Sequence, residues 1–235
     1  MDKVPLHVAI IPDGNRRWAK AHDLPVHEGH ERGFAMVREL VRYAGKKNIT
    51  YLSLWGLSLD NFTKRSPLEV AHLLRIFHDE FSKLIDDKEI HEGQVRVLIL
   101  GRWREKFPAP HRAVFEKLIE VTAGYNKRVL TIFLAYNGTD EMLSAVNELV
   151  AQGRDDKDLV VDANALKQHL FTADMPSVDL VIRTAGEKHI SAGFMMWDTA
   201  DSELYFPECY WPDFSNEEFD KALAEYGSRR RMKGK

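Results

Sequence analysis

Short apolar, largely β-branched runs recur along this chain, separated by stretches in which apolar residues return every three or four positions. The runs cover residues 7–11, 50–54, 95–100, 129–135, 178–182 and 203–206. Their continuous apolar character suits strands buried on both faces of a parallel sheet. Between them, Phe34, Val37, Leu40, Val41 and Ala44 fall at helical spacing, as do Met142, Val146, Leu149 and Val150. Residues 67–85 carry a broader apolar face: Val70, Leu73, Leu74, Ile76, Phe77, Phe81, Leu84 and Ile85. Ordinary core packing explains such a face, and the wall of a long apolar cavity is the alternative. The alternation predicts an α/β fold, a single open, mostly parallel sheet of about six strands flanked by helices. The polar stretch AQGRDDKDLVVD is too short to separate domains, and there is no internal repeat. One domain over 1–235 is expected, with a basic tail from about residue 228.

In such folds ligands sit beyond the carboxyl ends of the strands, so the chemistry lies in the residues just after each strand. After the first comes Asp13-Gly14-Asn15-Arg16-Arg17-Trp18. A tight strand-to-helix turn exposes backbone N–H groups where the helix dipole favours an anion, and guanidiniums match phosphate oxygens. Asp13 would repel a bare phosphate but makes sense with a divalent cation between them; the simpler reading is an N-cap. HEGHERG comes next, with His27 and His30 three apart; this is not the HExxH spacing, and His30 suits a phosphate better than a metal. After the second strand, GLSLDNFTKRSPLEV offers Ser58, Asn61, Lys64 and Arg65, while Ser66, Pro67 and Glu69 form a helix-start signature. After the fifth, RTAGEKHIS supplies Arg183, Glu187, Lys188, His189 and Ser191, a second anion-site composition. Glu203 then precedes an apolar run, where a carboxylate either faces water or serves a metal.

Composition narrows the partners. The 235 residues carry a formal net charge of -3, so no global basic field points to nucleic acid. A single cysteine excludes an internal disulfide and fits a reducing compartment. No signal segment and no apolar run near the ~20 residues of a membrane span is seen, so a cytoplasmic location is expected. Two phosphate-type sites, a few acids and a broad apolar helix face together suggest a long apolar chain bearing a diphosphate, with a second diphosphate beside it.

From His7 to about Phe214 the sequence resembles the cis-prenyltransferase family, which includes the undecaprenyl diphosphate synthases. HVAIIPDGNRRWAK resembles the family's opening block, LSLWGLSLDNF its second, and the stretch from DLVIRTAGE to YWPDF its last. The resemblance implies repeated Mg²⁺-dependent condensation of isopentenyl diphosphate onto an allylic diphosphate such as farnesyl diphosphate, each step making a cis double bond. It implies Asp13 and Glu203 as metal residues, and Asp13 and Asn61 as catalytic ones. Gly14, Asn15, Arg17, His30 and Asn61 would line the allylic diphosphate pocket; Arg183 and Ser191 would hold isopentenyl diphosphate. Arg16, Trp18, Ser58, Phe62, Lys64 or Arg65, and His189 complete the candidate substrate-binding set. The helix over 67–85 becomes part of a hydrophobic tunnel between sheet and helices. A homodimer, with the basic tail reaching toward the neighbouring site, and peripheral membrane contact for product release are the further implications.

The chain departs from the family pattern in places. His189 stands where a second arginine is usual, RTAGEKHISAGF has one extra residue before Phe194, Val26 replaces a basic residue, and Asn137-Gly138-Thr139 replaces a GGR block. None of these removes Asp13, Arg17, Arg183 or Glu203. Two other functions compete: a non-catalytic accessory subunit of a heteromeric enzyme, and a generic phosphate-ester enzyme, for which no nucleophile or fuller metal cluster is evident. Gly56 and Phe133 are the strand-end positions where side-chain size is expected to matter for product length.

Overall fold

The computed structural model describes residues 4–228, so the basic tail lies outside the described residues. The strands are β1 (His7–Ile11), β2 (Tyr51–Leu57), β3 (Val95–Leu100), β4 (Arg128–Leu134), β5 (Leu180–Arg183) and β6 (Glu203–Tyr205). The first crossover carries α1 (Asn15–Ala21) and α2 (Val26–Lys46); the second carries α3 (Leu59–Lys64), α4 (Pro67–Ile85) and α5 (Lys88–Glu92). Then come α6 (Trp103–Lys106), α7 (Ala109–Thr122), α8 (Gly138–Asp155), α9 (Ala163–Gln168) and α10 (Asn216–Ser228).

Among the described residues the strands form one sheet in the order β3-β4-β2-β1-β5-β6. Every pairing is parallel, as the apolar runs require. β1 is buried at every position and lies between β2 and β5. The chain leaves β1 toward β2 and returns from β4 to β5, so the strand order reverses at β1, the place where open α/β sheets bind ligands. Strand alternation then divides the core. Val8, Ile10, Leu54, Leu130 and Ile132 face the layer built by α2, α4, α7 and α10. Ala9, Ile11, Phe133 and Val181 face the opposite layer with Tyr136 and Phe194. Phe133 therefore points away from the α2–α4 side, contrary to the expectation that its size bears on product length.

Local signals hold where they rest on local chemistry. α4 starts as expected, with the Ser66 hydroxyl accepting from the Glu69 amide and Pro67 in the first turn. β2 runs past its expected end to Leu57, with a register shift between Trp55 and Leu57 around Gly56.

Candidate active site

At the carboxyl end of β1, the chain turns through Pro12 and Asp13 into α1. Gly14 is the N-cap, with φ of 102°, and no side chain caps the helix. Glycine is required there twice over: the left-handed backbone excludes most side chains, and a Cβ would stand 2.6 Å from the Tyr210 ring. The N-cap reading of Asp13 is thus corrected. Its carboxylate turns to two guanidiniums instead, accepting from Arg17 Nη2 at 3.2 Å and from Arg183 Nη2 at 2.9 Å. Its backbone N–H donates to Thr184 Oγ1 at 2.8 Å, locking the turn to the end of β5.

Arg183 ends β5, in register with Ile11 of β1. Its side chain is only 7% exposed. Nη1 donates to the His189 carbonyl at 2.7 Å and to Ser191 Oγ at 2.5 Å, while Nε is buried with no partner. The His189 ring lies 3.1 Å from the same Ser191 hydroxyl. Arg17 also donates to Glu187 at 2.9 Å; burial works against its charge, but Asp13 and Glu187 together raise its pKa.

A second basic group gathers at the start of α4. Glu69 forms an ion pair with Arg65 at 3.1 Å, lies 3.4 Å from His30 Nε2 and 4.0 Å from Arg16 Nε. Burial lowers the Arg65 pKa, Glu69 opposes this and Arg16 adds to it; Arg65 Nε is buried without a partner. Burial, then the nearby Arg65 charge, lower the His30 pKa to about 4 against the pull of Glu69. Glu69 is the residue that sequence reasoning missed, because its place in a helix start already accounted for it. Its (i, i+4) relation to Arg65 was the available signal.

These groups ring the mouth of a cavity of about 1510 Å³ that runs under α2 and α4. Asp13, Gly14, Asn15, Arg16, Arg17, His30, Ser58, Asn61, Arg65, Arg183 and Ser191 all line it. Ser58 is also structural, capping α3 by accepting from the Asn61 amide. Deeper in, Leu54, Gly56, Leu130 and Ile132 form the floor, and Val37, Val41, Leu73, Phe77, Phe81 and Leu84 the roof. Ile90 and Val95 mark the far end, where Arg38 pairs with Glu80 and Arg42 with Glu89. Val26 leaves an apolar side chain at the mouth, 38% exposed.

Several expected residues stand elsewhere. Lys64 is 74% exposed and pairs with Asp60, so Arg65 is the basic residue of the cavity. Phe62 is half-buried and packs on Phe107 at the edge of the core, with ring centroids 5.6 Å apart. Trp18 donates to Asp213 at 2.7 Å and stacks on His22, bracing the outside of the turn. Glu203 pairs in register with Leu180, three residues before Arg183. At ~3.3 Å per residue that puts it about 10 Å back along the sheet, at the amino ends of the strands. Within one chain, Asp13 and Glu203 do not meet.

Comparison with known proteins places this geometry. The undecaprenyl diphosphate synthase family of prenyltransferases matches over residues 11–234. A tritrans,polycis-undecaprenyl-diphosphate synthase (geranylgeranyl-diphosphate specific) of Pyrococcus abyssi is 38% identical over 99% of this chain and 88% of its own length. An isoprenyl transferase of Listeria innocua is 39% identical over 98% of this chain and 90% of its own. The crystal structure of lavandulyl diphosphate synthase from Lavandula x intermedia, in complex with dimethylallyl diphosphate, superposes with a TM-score of 0.88 at 29% identity, covering 97% of each chain.

Proposed function

The chain belongs to the undecaprenyl diphosphate synthase family of prenyltransferases, and we propose that it condenses isopentenyl diphosphate with an allylic diphosphate starter, with Mg²⁺, to build a cis-polyprenyl diphosphate. One observation carries the reading: Arg183, which is buried, and Arg65, which is half-buried, each with a buried and unpartnered Nε–H, flank the mouth of a long apolar cavity. Donors without partners are costly in a buried site unless a ligand takes them up. A diphosphate head on the arginines with its hydrocarbon tail in the cavity uses both features at once.

In the reaction the bond from the allylic carbon to diphosphate breaks, the isopentenyl double bond supplies the new carbon–carbon bond, and one proton is lost. Charge develops on the leaving diphosphate. Arg17, Arg65 and the α1 turn receive it with donors fixed in advance, the arrangement that stabilises transition-state charge most effectively. Arg183 and Ser191 hold the second diphosphate beside the first, which places the two reacting carbons together. The apolar roof and floor accept the growing chain and keep water from the cationic carbon.

The residues present fit Mg²⁺. Among the described residues no group of three or more His, Cys, Asp and Glu side chains is gathered for a metal. Mg²⁺ binds through one or two carboxylates plus substrate phosphates, and Asp13 is the carboxylate that would hold it. When bound, the ion supplies neutralisation of the leaving diphosphate. The retention of Asp13, Arg17 and Arg183 in one contact cluster favours catalysis over a non-catalytic accessory role.

The test is elongation by the purified chain with Mg²⁺, isopentenyl diphosphate and a series of starters from dimethylallyl to geranylgeranyl diphosphate, read by product mass. A ladder in five-carbon steps, abolished by a chelator, is the expected result. Folded protein that yields no ladder with any starter overturns the reading.

A further inference from the structure

The segment that carries Ser191 is strained. Ala192, Gly193 and Met195 all have positive φ, at 45°, 62° and 48°. Ala192-Gly193 is also where this sequence has its extra residue before Phe194. Non-glycine residues hold such a backbone only when their surroundings over-determine it.

Two kinds of contact do so. Phe194 is fully buried and stacks on Trp55, with centroids 5.2 Å apart and planes 7° from parallel. That burial holds the segment down but has little directional preference. Direction comes from the turn after β4. The Met195 N–H donates to the Tyr136 hydroxyl at 3.1 Å, and that hydroxyl donates to Glu141 at 2.5 Å. Glu141 accepts in turn from the Thr172 amide. Tyr136 and Glu141 are both within 1% of full burial, so neither has water as an alternative partner. The backbones also touch: a Cβ on Gly138 would stand 1.7 Å from the Gly193 carbonyl oxygen. On its other side the same turn is tied to the segment bearing Ser58 and Asn61. The Tyr136 N–H donates to the Leu57 carbonyl at 3.2 Å, and the Asn137 amide to Asp60 at 2.8 Å.

We propose that Tyr136 is a positioning residue for the isopentenyl diphosphate loop, its hydroxyl fixing the strained 191–195 segment so that Ser191 meets Arg183 in register with the allylic site. The inference rests on the functional reading above. It has its own logic: the turn holds one loop from each candidate diphosphate site, so it sets their separation.

Tyr136→Phe keeps the ring and removes the hydroxyl. The expected result is a KM for isopentenyl diphosphate raised about tenfold, as for a lost buried hydrogen bond, with the KM for the allylic starter within about twofold. Amide hydrogen exchange across 191–195 should quicken. Leu118→Ala, a core deletion on α7 in the opposite layer, is the control. It should lower Tm at least as much while leaving both KM values unchanged. An unchanged isopentenyl diphosphate KM in folded Tyr136→Phe, or equal shifts of both KM values, overturns the proposal. Should that variant fail to fold, Glu141→Gln turns an amide donor toward the hydroxyl or the Thr172 N–H and must give the same selective rise, smaller in size. Absence of turnover in the unsubstituted chain defeats the functional reading instead, and the exchange measurement then decides the positioning role without substrate.

Discussion

The carboxylate of Asp13 and the guanidinium of Arg183 meet at 2.9 Å although 170 residues separate them in the chain. Asp13 follows β1 and Arg183 ends β5, and parallel pairing of β1 with β5 aligns the two strand ends. The acid of one candidate diphosphate site is thereby held by the main cation of the other. On the proposed function, a diphosphate engaging Arg183 would compete with Asp13 for it and release the carboxylate proposed to hold Mg²⁺.

Asp13→Asn preserves shape and removes the charge. Product formation at saturating substrates should fall about 100- to 1000-fold, the size of effect seen when one preorganised charge-stabilising group is lost. Circular dichroism should be unchanged. Near-normal turnover would remove Asp13 from the reaction.

The neighbours Lys64 and Arg65 should behave oppositely. A charge-assisted hydrogen bond contributes about 1.5–3 kcal/mol, so Arg65→Ala should raise the KM for the allylic diphosphate by roughly 10- to 100-fold. Lys64→Ala should stay within about twofold, because its ammonium is mostly in water beside Asp60. Steady-state kinetics with the starter varied distinguishes them.

His30 gives the fold a dependence on pH. Burial first, and Arg65 second, bring its pKa down from 6.5 to about 4. Across that interval the unfolded chain takes up a proton that the folded chain does not. Stability from this site is therefore complete above about pH 6.5 and falls as pH drops, by about 1.4 kcal/mol per pH unit at most. Urea midpoints at about pH 7 and about pH 5 should diverge more for the unsubstituted chain than for His30→Gln. Parallel behaviour of the two proteins would contradict the assignment.

Gly56 sits in the cavity floor. A Cβ there would stand 2.9 Å from Leu134 Cδ2, 3.2 Å from Phe77 Cε1 and 3.3 Å from Ile132 Cγ2, all side-chain rather than backbone atoms. Gly56→Val should therefore fold and fill cavity space. Its product ladder should end at least one five-carbon unit short of that of the unsubstituted chain, as read by mass.

Much of this architecture is legible in the residue pattern. β1, β3 and α4 begin and end where the apolar runs and the Ser66-Pro67 start signal place them, because those signals are local. The features that the pattern leaves open depend on distance or phase. α3 ends at Lys64, and Arg65 comes next in extended backbone, which throws its side chain into the cavity rather than along the helix. Nothing in the residue types decides between two adjacent bases. Glu203 is an attractive metal residue in the sequence because it stands just before an apolar run and matches the family pattern, but register alone decides at which end of a strand a residue sits. Glu69 looks complete as a helix-start residue, yet its backbone supplies the cap contact and its side chain is left free for Arg65 and His30.

The strand at the centre of the sheet is also the first one in the chain. β1 can pair with β2 once about fifty residues exist, but its other edge stays open until β5, after residue 179. Assembly of the fold is thus ordered by chain length, and its late step is the one that joins Asp13 to Arg183. A chain ending before β5 would hold the α2–α4 layer, an exposed strand edge and the loops bearing Asp13 and Asn61, but neither Arg183 nor Ser191. On the proposed function, the pairing of β5 with β1 is what unites the two diphosphate sites, because it alone brings Arg183 to Asp13.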